Sequence, residues 1–234
     1  MSKHQRRSLI DLPSSTALTK EKVQYLRIRN LCGFLGVILP WLALFSAGIS
    51  QPHPSDQWWW SISATYYQSP ALAGILTPAA IVLMCYIGYD TRDNVVTSLS
   101  GIAGLGIVLF PCKVSWFEPA TQVGFFQLPM VWSNYVHCGC AVVFFLLLAY
   151  NSICLFTQSD GNMTDRKRLR NRIYRICGWS MVGVMAIFVL CTLLDAPGWT
   201  TMLVEILLLH LFGITWLVKG EAFPFLNDKP EETA

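Results

Sequence analysis

The sequence predicts an all-α integral membrane protein, with six transmembrane helices in one bundle and both termini in the cytoplasm. Three observations predict it. Hydrophobic residues make up 53% of the 234 and charged residues only 13%, about half the charged share of a soluble domain. Mean hydropathy is +0.45. Six stretches approach the roughly 20 apolar residues that cross about 30 Å of hydrocarbon. Of the 17 Lys and Arg residues, 16 fall on one side of these stretches. The same figures exclude a disordered chain, a basic nucleic-acid binder and an ordinary cytosolic enzyme.

The predicted spans follow in order. The first runs from Leu31 to Ile49, the second from Ala71 to Tyr89 and the third from Val95 to Phe110. The fourth runs from Val131 to Phe156, the fifth from Tyr174 to Leu194 and the sixth from Thr200 to Val218. Backbone groups in lipid must be satisfied within the segment, so all six are helices. Pro40 and Pro78 fall inside the first two and predict kinks. A cleaved signal ending near Ser46, Ala47 and Gly48 is disfavoured, because about 30 residues precede the first span and five more spans follow.

Charge sets the orientation. Lys3, Arg6, Arg7, Lys20, Lys22, Arg27 and Arg29 precede the first span, and Arg92 lies between spans two and three. Arg166, Lys167, Arg168, Arg170, Arg172 and Arg175 lie around the start of span five, and Lys219 and Lys229 follow span six. Only Lys113 is on the other face. The positive-inside rule makes the sixteen cytoplasmic. The chain divides into a basic tail (1–30), a transmembrane domain (31–219) and a C-terminal tail (220–234), with the cell membrane as its location. Asn162-Met163-Thr164 matches a glycosylation acceptor on the wrong face for use.

Candidate chemistry concentrates at the outer face. Between spans one and two, Trp58-Trp59-Trp60 and Tyr66-Tyr67 form an aromatic run suited to headgroup depth. It reads as an anchor along the membrane, or as a lid over a cavity with Ser61 and Ser63 pointing inward. His137 and Glu205 sit at matching depth in spans four and six, each roughly 8–9 Å below the face. Asn134 lies one turn above His137. Ionisable groups at such depth are costly, so His137 and Glu205 are expected to pair if their spans are neighbours. The pair reads either as glue between helices or as a ligand-binding or catalytic set.

Other combinations are weaker. Ser61 or Ser63 with His137 and Glu205 supplies the residue types of a hydrolase, but no nucleophile-elbow glycine pattern surrounds either serine. His137, Cys138, Cys140 and Cys112 are near one another in the predicted layout, but there is no HExxH and no paired CxxC, and no metal or other cofactor is expected. His210, near the middle of span six, reads as hydrogen-bonded to a neighbouring helix rather than as a proton relay. On the cytoplasmic face Asp90, Asp93, Arg172, Arg175, Lys219 and Glu221 are expected to form a ring of ion pairs. The basic run from Arg166 to Arg175 also suits anionic headgroups.

Several of these strings together resemble a known family. They are Ser61-Ile62-Ser63 with Tyr66-Tyr67, Gly88-Tyr89-Asp90 with Asp93-Asn94, and Leu109-Phe110-Pro111. Asn134 with His137, Arg172-Ile173-Tyr174-Arg175 with Cys177-Gly178, and Glu205 with Phe212-Gly213 and Trp216-Leu217-Val218-Lys219-Gly220-Glu221 continue the likeness. From about residue 30 to 221 the chain resembles an uncharacterised family of bacterial six-span membrane proteins. More distantly it is similar to the DRAM and Sfk-type membrane proteins, which are associated with lipid handling and membrane organisation. The resemblance implies the six-span topology and points to the outer Ser/Tyr/His/Glu set and the inner Asp/Arg/Lys/Glu set. Alkaline-ceramidase-like hydrolases carry paired histidines on the last span, where this chain has His210 alone.

Three functional readings follow. The preferred one is a non-enzymatic protein that binds a lipid or small amphiphile in a cavity near the outer leaflet, through Ser61, Ser63, Tyr66, Tyr67, Asn134, His137 and Glu205. The alternatives are a transmembrane lipid hydrolase using the same Ser/His/Glu set, and an oligomeric channel or membrane-disrupting effector. Membrane lipids are the expected partners, a homo-oligomer is open, and nucleic acid is not expected.

Overall fold

A computed structural model describes residues 15–88, 90–159 and 163–228. Lys3, Arg6, Arg7, Tyr89, Asn162 of the acceptor pattern, and Lys229 lie outside the described residues. The chain forms six α-helices: α1 Ser15–Ile49, α2 Ala71–Cys85, α3 Thr91–Leu109, α4 Met130–Tyr150, α5 Asp165–Leu193 and α6 Thr200–Lys219. Each overlaps one of the apolar stretches predicted from the sequence. The only described sheet is a two-residue antiparallel pair, β1 Gln122–Val123 with β2 Leu128–Pro129, in the loop between α3 and α4.

The helix ends depart from the hydropathy limits for local reasons. α1 and α5 run well into the basic segments, because polar residues propagate a helix as readily as apolar ones once it is nucleated. Thr164 caps α5, its hydroxyl accepting from Lys167 N at 3.0 Å, and Asp90 caps α3 by accepting from Asp93 N at 2.8 Å. α4 passes into one π-turn, Asn151–Leu155, closed by Phe156 N donating to Asn151 O at 2.8 Å. Helix α2 corrects the prediction. It stops at Cys85 instead of reaching Tyr89, and Tyr86 takes an extended backbone that buries its ring edge-on against Trp216. Four helices, α1, α4, α5 and α6, are long and apolar enough to cross a membrane. The 15-residue α2 is apolar but shorter.

Each helix packs chiefly on its neighbours in sequence, and α6 closes on α1, giving a ring α1–α2–α3–α4–α5–α6. Glycines set the close crossing of α1 and α6. A Cβ at Gly213 would stand 2.7 Å from Gly33 O, and one at Gly33 would stand 2.8 Å from Gly213 O, so α1 and α6 touch backbone to backbone. The core behind this seam holds Leu39, Phe144, Phe212 and Trp216, each almost fully buried. One end of the ring carries the 50–70 and 110–129 loops and is called the loop end. The other carries most of the described Lys and Arg residues and is called the basic end.

Candidate functional site

A cavity of about 600 Å³ opens at the loop end, between the 57–64 segment and helices α3, α4, α5 and α6. Its polar groups come from the loops and the N-terminal parts of α4 and α6, and include Gln57, Ser61, Ser63, Lys113, Asn134, His137 and Glu205. Deeper, its walls are apolar, with Phe144 and Phe145 on α4, Val182 and Met185 on α5, and Leu208 and Leu209 on α6. It also reaches the outside of the bundle. Val142 of α4 and Val189 of α5 line it while remaining 48% and 57% exposed. The two helices meet closely at the basic end, where a Cβ at Gly178 would stand 3.0 Å from Ala149 O. Toward the loop end the cavity lies between them, so α4 and α5 form a V with a lateral mouth.

Glu205, one turn into α6, organises the rim. Its carboxylate accepts from Ser61 Oγ at 2.9 and 3.1 Å, Ser63 Oγ at 2.6 Å, Ile62 N at 2.5 Å and Ser63 N at 3.3 Å. Trp60 O accepts from Met202 N at 2.9 Å, so the same loop also covers the N-terminus of α6. Trp60 packs on Gly198, where a Cβ would stand 2.3 Å from the indole. The aromatic run is therefore split in use. Trp59 is exposed, while Trp60 to Ala64 line the cavity as a lid fastened to α6.

The expected pairing of His137 with Glu205 does not form. His137 Nδ1 lies 3.1 Å from Ile107 O and 2.9 Å from Phe110 O, at the end of α3. α4 neighbours α3 and α5 in the ring and meets α6 only slightly, so equal depth puts the two residues on different walls of one cavity. Both serines donate to Glu205, and His137 bonds to neither, so no Ser–His–Glu relay is assembled. Asn134 does line the cavity, and its Oδ1 accepts from Lys113 N at 2.8 Å. Tyr66 and Tyr67 do not line it. Tyr67 donates to Cys112 O at 2.7 Å, and Tyr66 stands edge-on to Tyr67. Cys112 itself is buried with Ala64, Val114, Val123 and Met130. His210 is held between helices, its Nε2 accepting from Trp41 Nε1 of α1 at 3.0 Å.

At the basic end the residues expected to form a ring of ion pairs take different positions. Asp90 is a helix cap, and Arg172, Arg175 and Glu221 are exposed, with no ion pair among the described residues. Arg29 is buried there. It donates to Tyr25 Oη at 2.6 Å, Tyr86 Oη at 3.0 Å and Lys219 O at 3.2 Å, with its guanidinium 3.9 Å from the Tyr25 ring centre. Asp93 and Lys219 are buried at the same end. Arg170 pairs with Asp228 at 2.6 Å, and Arg166 donates to Asn227 O, which docks the C-terminal segment on α5. Burial of Asp228 would raise its pKa, but the hydrogen bonds from Arg170 and Thr164 and the nearby Arg charges hold it below the usual carboxylate range.

Sequence reasoning missed two kinds of partner. Backbone donors such as Ile62 N carry no sequence signal. Tyr25 and Arg29 did carry one, an i,i+4 aromatic–cation pair just ahead of the apolar run. Compared with protein-family models, curated proteins and solved structures, the chain matches none.

Proposed function

We propose that this is a six-span protein of the cell membrane, with both termini cytoplasmic, that binds a lipid or small amphiphile without transforming it. The loop end faces outward, and α2 and α3 cross as shorter members of the ring. One observation carries the reading: the cavity joins an apolar interior to a polar rim and has its mouth on the side of the bundle, between α4 and α5. That is the layout an amphiphile requires, with its chain entering from the leaflet and its head staying near the aqueous face. Hydrolysis is disfavoured because the serine hydroxyls are committed to Glu205 and His137 is turned to α3.

The test is native mass spectrometry of the protein extracted gently from membranes. Ala141 lies on the cavity wall one turn below His137. The wild type retains a single-chain amphiphile, and Ala141→Trp, which fills the cavity, is recovered folded without it. Equal lipid retention by the two proteins rules the cavity out as the site.

A further inference from the structure

Resting on that reading of the cavity, we infer that the ligand is a neutral single-chain amphiphile whose head donates a hydroxyl hydrogen to His137 Nε2, as a monoacylglycerol does. The inference starts from the tautomer. Carbonyl oxygens only accept, so the ring nitrogen that faces Ile107 O and Phe110 O carries the hydrogen. α3 ends at Leu109, which leaves these carbonyls without helical donors and ready to orient the ring. A buried imidazolium needs a counter-charge in contact with it, and His137 touches none: Glu205 is held by the 61–63 turn on another wall of the cavity. The ring is neutral, and Nε2 is an acceptor.

That acceptor has no protein partner. His137 is 5% exposed and lines the cavity, and among the described residues no donor reaches Nε2. An unpartnered acceptor on a buried residue that lines a cavity calls for a donor on whatever fills it. One turn nearer the rim, Asn134 gives its Oδ1 to Lys113 N and has its Nδ2 left to donate. The pair thus matches a head with one hydroxyl to give and a second oxygen to receive, the pattern of a glycerol ester.

Charge and size narrow the class. Lys113 and Glu205 line the same rim with opposite signs, so an anionic head meets the carboxylate and a cationic one meets the ammonium. A neutral head meets neither cost. At about 600 Å³ the cavity is of ordinary small-ligand size, and it holds one acyl chain rather than a two-chain phospholipid.

The test uses the full chain in nanodiscs with four probes: monoolein, its dimethyl ether, oleic acid and oleylamine. Monoolein is expected to bind about tenfold tighter than the ether, because the ether strands the His137 acceptor. It should also exceed the two charged probes. His137→Phe keeps the ring volume and should erase the monoolein preference while still binding the ether. The ligand-side comparison stands even if that variant fails to fold. Equal affinity for monoolein and its ether, or tighter binding of oleate or oleylamine, overturns the head assignment and leaves the amphiphile cavity standing. A preference that survives His137→Phe overturns the role of His137. Binding of none of the four overturns the cavity reading itself.

Discussion

Replacing Glu205 by Gln tests the lid. The carboxylate accepts from two hydroxyls and two backbone N–H groups of residues 61–63. An amide offers one acceptor oxygen and turns the other position into a donor. The hydroxyls of Ser61 and Ser63 can rotate and accept from that NH₂ group, but the N–H of Ile62 or Ser63 cannot. One backbone donor is left facing another, which costs about 1–3 kcal/mol. Loss of the charge-assisted character of the other bonds adds to it. Glu205→Gln should therefore lose about 2–3 kcal/mol, and Glu205→Leu, which strands both N–H groups, about 3–5 kcal/mol. Ser61→Ala and Ser63→Ala remove one hydroxyl each and should lose about 1 kcal/mol apiece. Thermal unfolding in one detergent ranks the four variants. Impermeant labelling of a cysteine placed at the buried Ala64 should quicken in Glu205→Gln, because the loop is released from α6. A Glu205→Gln protein with wild-type melting and unchanged loop labelling would refute the lid.

Other consequences can be checked alongside. His137 and Glu205 share no partner, so a double-mutant cycle on melting should be additive within about 0.5 kcal/mol; coupling well above that would mean the two residues meet. Gly213→Leu puts a side chain into the Gly33 carbonyl and should prevent recovery of folded protein, whereas Gly139→Leu, where nothing lies within 4 Å of the Cβ position, should be tolerated. Asp228 has a lowered pKa when docked, so its contribution is complete above the ordinary Asp value near 4 and is lost as pH falls through the lowered one. Hydrogen exchange of residues 224–228 should therefore rise only in acid, and Asp228→Asn should show the raised exchange at every pH. Cysteines introduced near Ser55 and Met163 should react and fail to react, respectively, with an impermeant reagent added outside intact cells; the reverse pattern would invert the orientation.

The positions of the helices were legible in the sequence because satisfying the backbone within an apolar stretch is a local requirement. Any stretch that satisfies it must be apolar, long and helical whatever surrounds it. The residues worth inspecting were legible for a related reason: His137, Asn134, Glu205 and the 61–63 serines are polar where the neighbourhood is not. Their partners were not legible. Depth along a helix can be counted from sequence, but rotation about the axis and order around the bundle cannot. Two groups at one depth meet only if their helices are adjacent and their faces turned together. Closure of α6 on α1 placed Glu205 against the 61–63 turn, and the contact of α4 with α3 turned His137 to the carbonyls at the end of α3. Helix α2 shows the same division. Its apolar run was visible, but its stop at Cys85 accompanies burial of Tyr86 against Trp216 and hydrogen bonding to Arg29, contacts spanning 130 and 57 residues of chain. Composition specifies which segments are apolar; only the assembled ring specifies which polar groups among them find one another.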